Sequence, residues 1–237
     1  MKKLHNIIIC LVLATLQNSY AQPDSGKVVY KIQLAGFGSQ NASPENKELN
    51  EIIVTIANSK TATLTFNSKR SSFILDNYLS SDSKQNGLTV MAEKLAFIEI
   101  NGQNYFIDKV SNSSILENMD GFLIEQENEK LEWEITTESK QIDGYLCYKA
   151  VYLWKFTNRR GTATTIPIIA WFAPSLPYSY GPKYFTGLPG LILELTDRKI
   201  TFLASSITIL KNQQLEVEFT KGKIVSIEDY KKKVFSR

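Results

Sequence analysis

Tyr145-Leu146-Cys147-Tyr148-Lys149-Ala150-Val151-Tyr152-Leu153-Trp154-Lys155-Phe156 is the stretch on which the fold turns. Leu146, Tyr148, Ala150, Tyr152, Trp154 and Phe156 make one unbroken apolar face. The alternate positions mix Tyr145, Cys147, Val151 and Leu153 with Lys149 and Lys155. A period of two in a run this rich in aromatic and β-branched residues predicts a long strand, covered fully on one face and partly on the other.

The same period recurs outward in both directions. It runs through Val28, Tyr30, Ile32 and Leu34, through Ala62, Leu64 and Phe66, and through Leu131, Trp133 and Ile135. Residues 166–172, 191–195, 200–210 and 215–219 read as further strands. Leu95–Ile100 and Tyr105–Ile107, flanking Asn101-Gly102-Gln103-Asn104, read as a hairpin. The polar stretches 38–50, 77–87 and 112–121 read as loops, with a helical turn near Glu45–Ile53. Short gaps favour antiparallel neighbours, because parallel pairs need long crossovers. The expectation is an all-β chain: one strongly curved antiparallel sheet, an open barrel or bowl-like half-barrel, over residues 22–237. Ser226 with Asp229 three residues on has the form of a capping box, which would open a short helix through Phe235.

Residues 1–21 read as a signal peptide. Lys2 and Lys3 precede the apolar run Ile7–Leu16, and Ser19-Tyr20-Ala21 offers small residues for cleavage before Gln22. The run is too short to span a bilayer. The expected location is the periplasm or the cell exterior, peripheral to an outer membrane if bound to one. Cleavage would remove His5, the chain's one histidine, and Cys10, leaving Cys147 alone. A chain without histidine excludes Ser-His-Asp and Cys-His catalysis and every histidine-ligated metal site. No cofactor or metal is expected. The near balance of 27 basic and 24 acidic groups gives no electrostatic case for nucleic acid. The lysines of the C-terminal end read as a solvated tail in preference to a lipid anchor.

Composition shifts between Ile166 and Ile192. Five of the seven prolines fall there, with Trp171, Phe172, Tyr178, Tyr180, Tyr184 and Phe185. Such a stretch predicts a stiff aromatic flap over one opening of the sheet. Leu188-Pro189-Gly190-Leu191 has the residues of a type II turn, proline second and glycine third. The hexapeptide Gly187-Leu188-Pro189-Gly190-Leu191-Ile192 is similar to the one after which the GLPGLI family of exported Gram-negative proteins is named. Trp133-Glu134-Ile135, Gly144-Tyr145, Ala170-Trp171-Phe172-Ala173-Pro174 and Gly181-Pro182 resemble the pattern around it. The resemblance covers about residues 130 to 200. It implies a secreted or periplasmic, mostly β protein, and no reaction.

The aromatic cluster Trp171, Phe172, Tyr178, Tyr180, Tyr184 and Phe185 is the candidate ligand-binding set. The competing reading is that these rings close the sheet's own core. Cys147 reads as an inert buried thiol in preference to a reactive one. Glu194, in an apolar strand, needs a partner such as Arg198 or Lys183, and is expected to clamp the proline-rich turn. No residue is assigned as catalytic. The leading functional expectation is a non-catalytic cell-envelope protein that binds an apolar small molecule or lipid, or an envelope protein partner. The rival is a secreted carboxylate hydrolase acting on glycan or peptide, which requires some of Glu132, Glu134, Glu138, Asp143 and Glu194 to converge. A purely structural accessory subunit is the third.

Overall fold

Twelve strands follow one another edge to edge in a single sheet that does not close on itself. The computed structural model describes residues 25–36, 43–76, 87–118, 120–158 and 160–235. The signal-peptide reading and the loop at 77–86 lie outside them. In chain order the elements are β1 (Ser25–Leu34), α1 (Pro44–Asn58), β2 (Thr61–Asn67), β3 (Arg70–Asp76), α2 (Gly87–Ile100), β4 (Asn104–Asp108), β5 (Ser113–Glu117) and β6 (Leu123–Glu127). The second half continues with β7 (Trp133–Ile142), β8 (Tyr145–Thr157), β9 (Ala163–Ala173), β10 (Leu191–Asp197), β11 (Ile200–Leu210), β12 (Ile224–Ser226) and α3 (Ile227–Phe235). Across the sheet the order is β12-β6-β5-β4-β3-β2-β1-β11-β10-β9-β8-β7. Every pair is antiparallel except β12 on β6, so the expected antiparallel sheet carries one parallel strand at its margin.

The curvature has local causes. Ser205 is an extra residue in β11 opposite β1, and Leu193 is one in β10 opposite β9. Two residues between Ile135 and Ser139 have no counterpart in β8. Each such bulge bends its strand and sharpens the twist. The result is visible in who meets whom. The Tyr105 ring of β4 lies 5.8 Å from Tyr184, the stacked neighbour of Phe185, and Phe185 lies 6.2 Å from Trp133 of β7. In a flat sheet β4 and β7 would stand roughly 38 Å apart.

The core fills the concave face. Val28, Tyr30, Ile32 and Leu34 point into it while Lys27, Lys31 and Gln33 stay exposed, the alternation expected of a sheet wetted on one side. Two elements cover that face. One is the pair α1 and α2, packed on each other and on β1. The other is the segment between β9 and β10, which contributes Leu176, Tyr178, Tyr180, Phe185 and Leu188 to the same apolar cluster. On the opposite face a smaller cluster joins Phe106, Ile115 and Leu123 to Phe219.

Four readings of the sequence are corrected. Leu95–Ile100 belongs to α2 and forms no hairpin strand. Its buried residues Ala92, Ala96 and Ile100 recur every fourth position, and Asn101 ends it at φ 52°, where the Gly102 N–H is bonded to the Phe97 carbonyl. The helical turn expected near Glu45–Ile53 is a full 15-residue helix, α1, which takes in residues 44–50 of the expected loop and is entered through Ser43 and Pro44. Residues 215–219 form no strand. They cross the outer face of the sheet, tied by Asn67 Nδ2 to the Leu215 carbonyl (3.0 Å) and by Phe219 against Phe106. The polar stretch 112–121, assigned to a loop, supplies β5.

The C-terminal helix is present as expected, with the Asp229 N–H donating to Ser226 Oγ at 3.1 Å. No helix among the described residues is long and apolar enough to cross a membrane.

Candidate functional site

The segment from Pro174 to Gly190 leaves β9, crosses the concave face and returns as β10. Its fastening is mostly backbone. Leu191 N–H donates to the Leu176 carbonyl and Ile192 N–H to the Tyr180 carbonyl, while Tyr30 Oη donates to the Ile192 carbonyl at 2.6 Å. Trp133 Nε1 reaches the Thr186 carbonyl from β7 at 2.8 Å. The hexapeptide is the knot of this fastening. Leu188, Leu191 and Ile192 are buried, and Gly187 adopts φ 94° with its N–H bonded to Ser179 Oγ. The expected type II turn does not form, because Gly190 stays out of the left-handed region that the turn's third residue requires. Gly190 is needed for space instead: a Cβ there would stand 2.3 Å from the Ala173 carbonyl oxygen.

A buried ion pair holds the flap from beneath. Lys183 Nζ lies 3.0 Å from Asp197 Oδ2, with side chains 1% and 8% exposed, and Arg198 Nε meets the other carboxylate oxygen at 3.1 Å. Burial pulls the Lys183 ammonium down from its ordinary value against the pull of Asp197. Burial alone would raise the Asp197 carboxyl, but Lys183 and Arg198 together hold it below the usual carboxylate range. The clamp expected of Glu194 is therefore made by Asp197. Glu194 turns to the outer face and pairs with Lys140 at 2.7 Å.

Of the six candidate binding aromatics, Phe172, Tyr178, Tyr180 and Phe185 lie inside the core. Phe66 packs on Tyr178 at 4.7 Å and on Tyr180 at 5.9 Å, so these rings close the concave face from within. Trp171 stands on the outer face under Lys140, whose Nζ is 4.3 Å from the ring centre. Tyr184 differs. It lines a cleft of about 300 Å³ between the two ends of the curved sheet.

One wall of that cleft is Tyr152 and Trp154 of β8. The other is Tyr105, Ser114, Leu116 and Gln126 of β4, β5 and β6. Asn101 and Gln103, at the exit of α2, close it beside Tyr105. The Tyr105 hydroxyl donates to Gln103 Oε1 at 2.9 Å and accepts from Asn101 Nδ2 at 3.3 Å. Glu127 and Glu129 stand exposed at the mouth. Burial, with Asp197 and Glu129 nearby, pushes the Tyr184 phenol up to about 12, so it stays a neutral hydroxyl.

Tyr152 and Trp154 are visible in the sequence as part of the apolar face of β8, but nothing there says that this end of the face is open. Tyr105 and the amides give no local signal, because the curvature alone brings them opposite β8.

The five carboxylates of the hydrolase reading do not meet across this cleft. Glu138 pairs with Lys149 at 2.8 Å and Glu194 with Lys140, both on the outer face. Glu132 and Glu134 line an outer depression with Lys130 and Lys155. Asp143 is in the β7–β8 turn at φ 47°. Among the described residues no three His, Cys, Asp or Glu side chains group as a metal site would require.

Residues 157–194 match the family model described as "Protein of unknown function (Porph_ging)". That span runs from the end of β8 through β9 and the flap to Glu194, so the match lies on the fastening just described. Two solved structures of PNGF-II share the fold. The P21 form aligns with a TM-score of 0.51 at 16% identity, and the C2 form with 0.53 at 14%. Each alignment covers 90% of this chain and 33% of the other, so this chain spans about a third of the length of the solved chains it matches. No curated protein matches the chain.

Proposed function

We propose that this is an exported, non-catalytic binding protein of the cell envelope, a member of the GLPGLI family, which holds its ligand in the cleft between the two ends of the sheet. The ligand presents an apolar face, either as a free small molecule or as a group carried by an envelope partner. The observation that supports this reading is the cleft itself. Four aromatic side chains from β4, β8 and the flap surround a space of about 300 Å³, on a wall fixed by the buried flap beneath. Rings held this way offer contact area without a large loss of side-chain freedom on binding. The scatter of the five carboxylates, with Glu138 and Glu194 paired to lysines on the outer face, favours binding over the hydrolase alternative.

The test is intrinsic fluorescence of the purified chain against envelope extracts. Of the three tryptophans Trp154 alone lines the cleft, so the response is expected to be lost in Trp154→Phe but kept in Trp133→Phe and Trp171→Phe. A response that disappears with Trp171 instead, or none with any extract, would refute the reading.

A further inference from the structure

The lining of the cleft also says what kind of molecule fits it. Around the rings of Tyr105, Tyr152, Trp154 and Tyr184 stand the side-chain amides of Asn101, Gln103, Gln126 and Asn128. The carboxylates Glu127 and Glu129 complete the rim, and no lysine or arginine is among the lining residues. Part of this polar capacity is unspent. The Asn128 amide donates to the Asp108 carbonyl and the Asn101 amide to Tyr105, but the Gln126 side chain makes no hydrogen bond to any described residue, and the Gln103 side chain uses only its carbonyl, as the acceptor of the Tyr105 hydroxyl.

We infer that the cleft takes a neutral, polyhydroxylated ring, a sugar unit of a glycan, laid against the aromatic wall with its hydroxyls on the amides and carboxylates. This rests on the reading of the cleft as the binding site. A lipid chain would cover those amides with nothing to bond them, at a cost of about 1–3 kcal/mol for each stranded group. An anionic headgroup, phosphate or sulfate would meet two carboxylates and no cation. A quaternary ammonium would suit the rings and the acidic rim but would leave the amides without partners. A sugar ring has an apolar face of C–H groups for the rings, and hydroxyls that both donate and accept, which matches amides and carboxylates side by side.

The experiment is an array of immobilised neutral hexose and N-acetylhexosamine oligosaccharides beside sulfated and sialylated ones. Fluorescence titrations with N-phenyl-1-naphthylamine, a neutral apolar probe, and with benzyltrimethylammonium run in parallel. The expected result is retention on neutral glycans, weakened at least tenfold in Trp154→Ala and in Gln126→Ala and unchanged in Leu146→Ala, an exposed position of β8 that does not line the cleft. Gln126→Ala removes a half-buried side chain without a partner, so it keeps the test decisive if Trp154→Ala does not fold. Retention on sulfated glycans as strong as on neutral ones, or glycan binding indifferent to both cleft variants, overturns the inference. Uptake of the apolar or cationic probe through Trp154, without any glycan, overturns the sugar and leaves the cleft as a site. Silence of all the probes removes both.

Discussion

Lys183 occupies a left-handed backbone conformation, φ 57°, and delivers its ammonium to Asp197 below the flap. Removing Asp197 strands the buried Lys183 ammonium, which costs about 3–5 kcal/mol, whereas removing Lys183 leaves Asp197 its second partner Arg198, and replacing both by apolar residues is often close to neutral. Asp197→Ala should therefore lower unfolding stability by about 3–5 kcal/mol in urea titrations, and Lys183→Ala by less. The double variant Lys183→Met with Asp197→Leu should recover most of that loss. An additive double variant would show that the two groups do not interact. The pair also fixes a pH dependence. The Asp197 carboxyl is held below its ordinary value, so the unfolded chain binds the proton more tightly than the folded one. Its contribution is present above the ordinary carboxylate range and is lost as the pH falls through the lowered value. Asp197→Asn should flatten that acid limb of stability against pH. The thiol of Cys147 makes a separate point. Burial pushes it up to about 11, more than nearby Lys140 can offset. At pH 8 it should react with a disulfide reagent only after unfolding, and prompt reaction of the native chain would contradict its burial.

Among the elements, two glycines of one hexapeptide do different work. Gly187 is needed for its positive φ, since a Cβ there would only touch Trp133 at ordinary contact distance, while Gly190 is needed because the Ala173 backbone is too close for one. An alanine at Gly187 costs the left-handed strain, about 1–2 kcal/mol. At Gly190 it must push β9 away from the flap, an overpacking cost of about 1–3 kcal/mol or more. Thermal unfolding should rank Gly190→Ala below Gly187→Ala, and only the former should loosen β9 in amide exchange. The element scale also shows what the sequence carried legibly. β9 and β11 could be read because period-two alternation and one-sided burial coincide along them, β8 because its sequence alternates even though Leu146 is exposed and Cys147 buried, and β10 as a short apolar run buried on both faces. α2 could not, since Leu88, Met91 and Ile98 are exposed while Ala92, Ala96 and Ile100 are buried. Apolar residues on every side leave no period to find, and the Asn101-Gly102 that caps the helix resembles a hairpin turn. α1 was legible in part, as a helical turn near Glu45–Ile53, while its true start is set by Ser43 as cap and Pro44 at the first helical position. The cleft was the least legible feature. Tyr105, Tyr152 and Tyr184 come from separate elements, and only the accumulated bend of the sheet makes them neighbours.

For the whole molecule, the flap decides whether the bend persists. A sheet open at both margins needs its concave face covered, and here the covering segment touches both halves: Tyr184 meets Tyr105 on one side, and Thr186 accepts from Trp133 on the other. Each large apolar side chain buried contributes roughly 1.5–3 kcal/mol, so five from the flap supply on the order of 10 kcal/mol. A domain's entire net stability is about 5–15 kcal/mol. Replacing residues 175–186 by a Gly-Ser linker of equal length should therefore do more than open a binding site. It should leave strand content in the far-ultraviolet spectrum, abolish the near-ultraviolet signal of the packed aromatics, and expose the concave face to a hydrophobic dye. Tyr184→Ala, which removes one ring of the cleft and leaves Phe185 and Lys183 in place, should keep the near-ultraviolet signal. If the linker variant kept it too, the sheet would hold its own curvature and the flap would be free to serve as a mobile cover. If it does not, the matched segment at 157–194 is first the brace of the fold, and binding belongs to the cleft that the brace holds open.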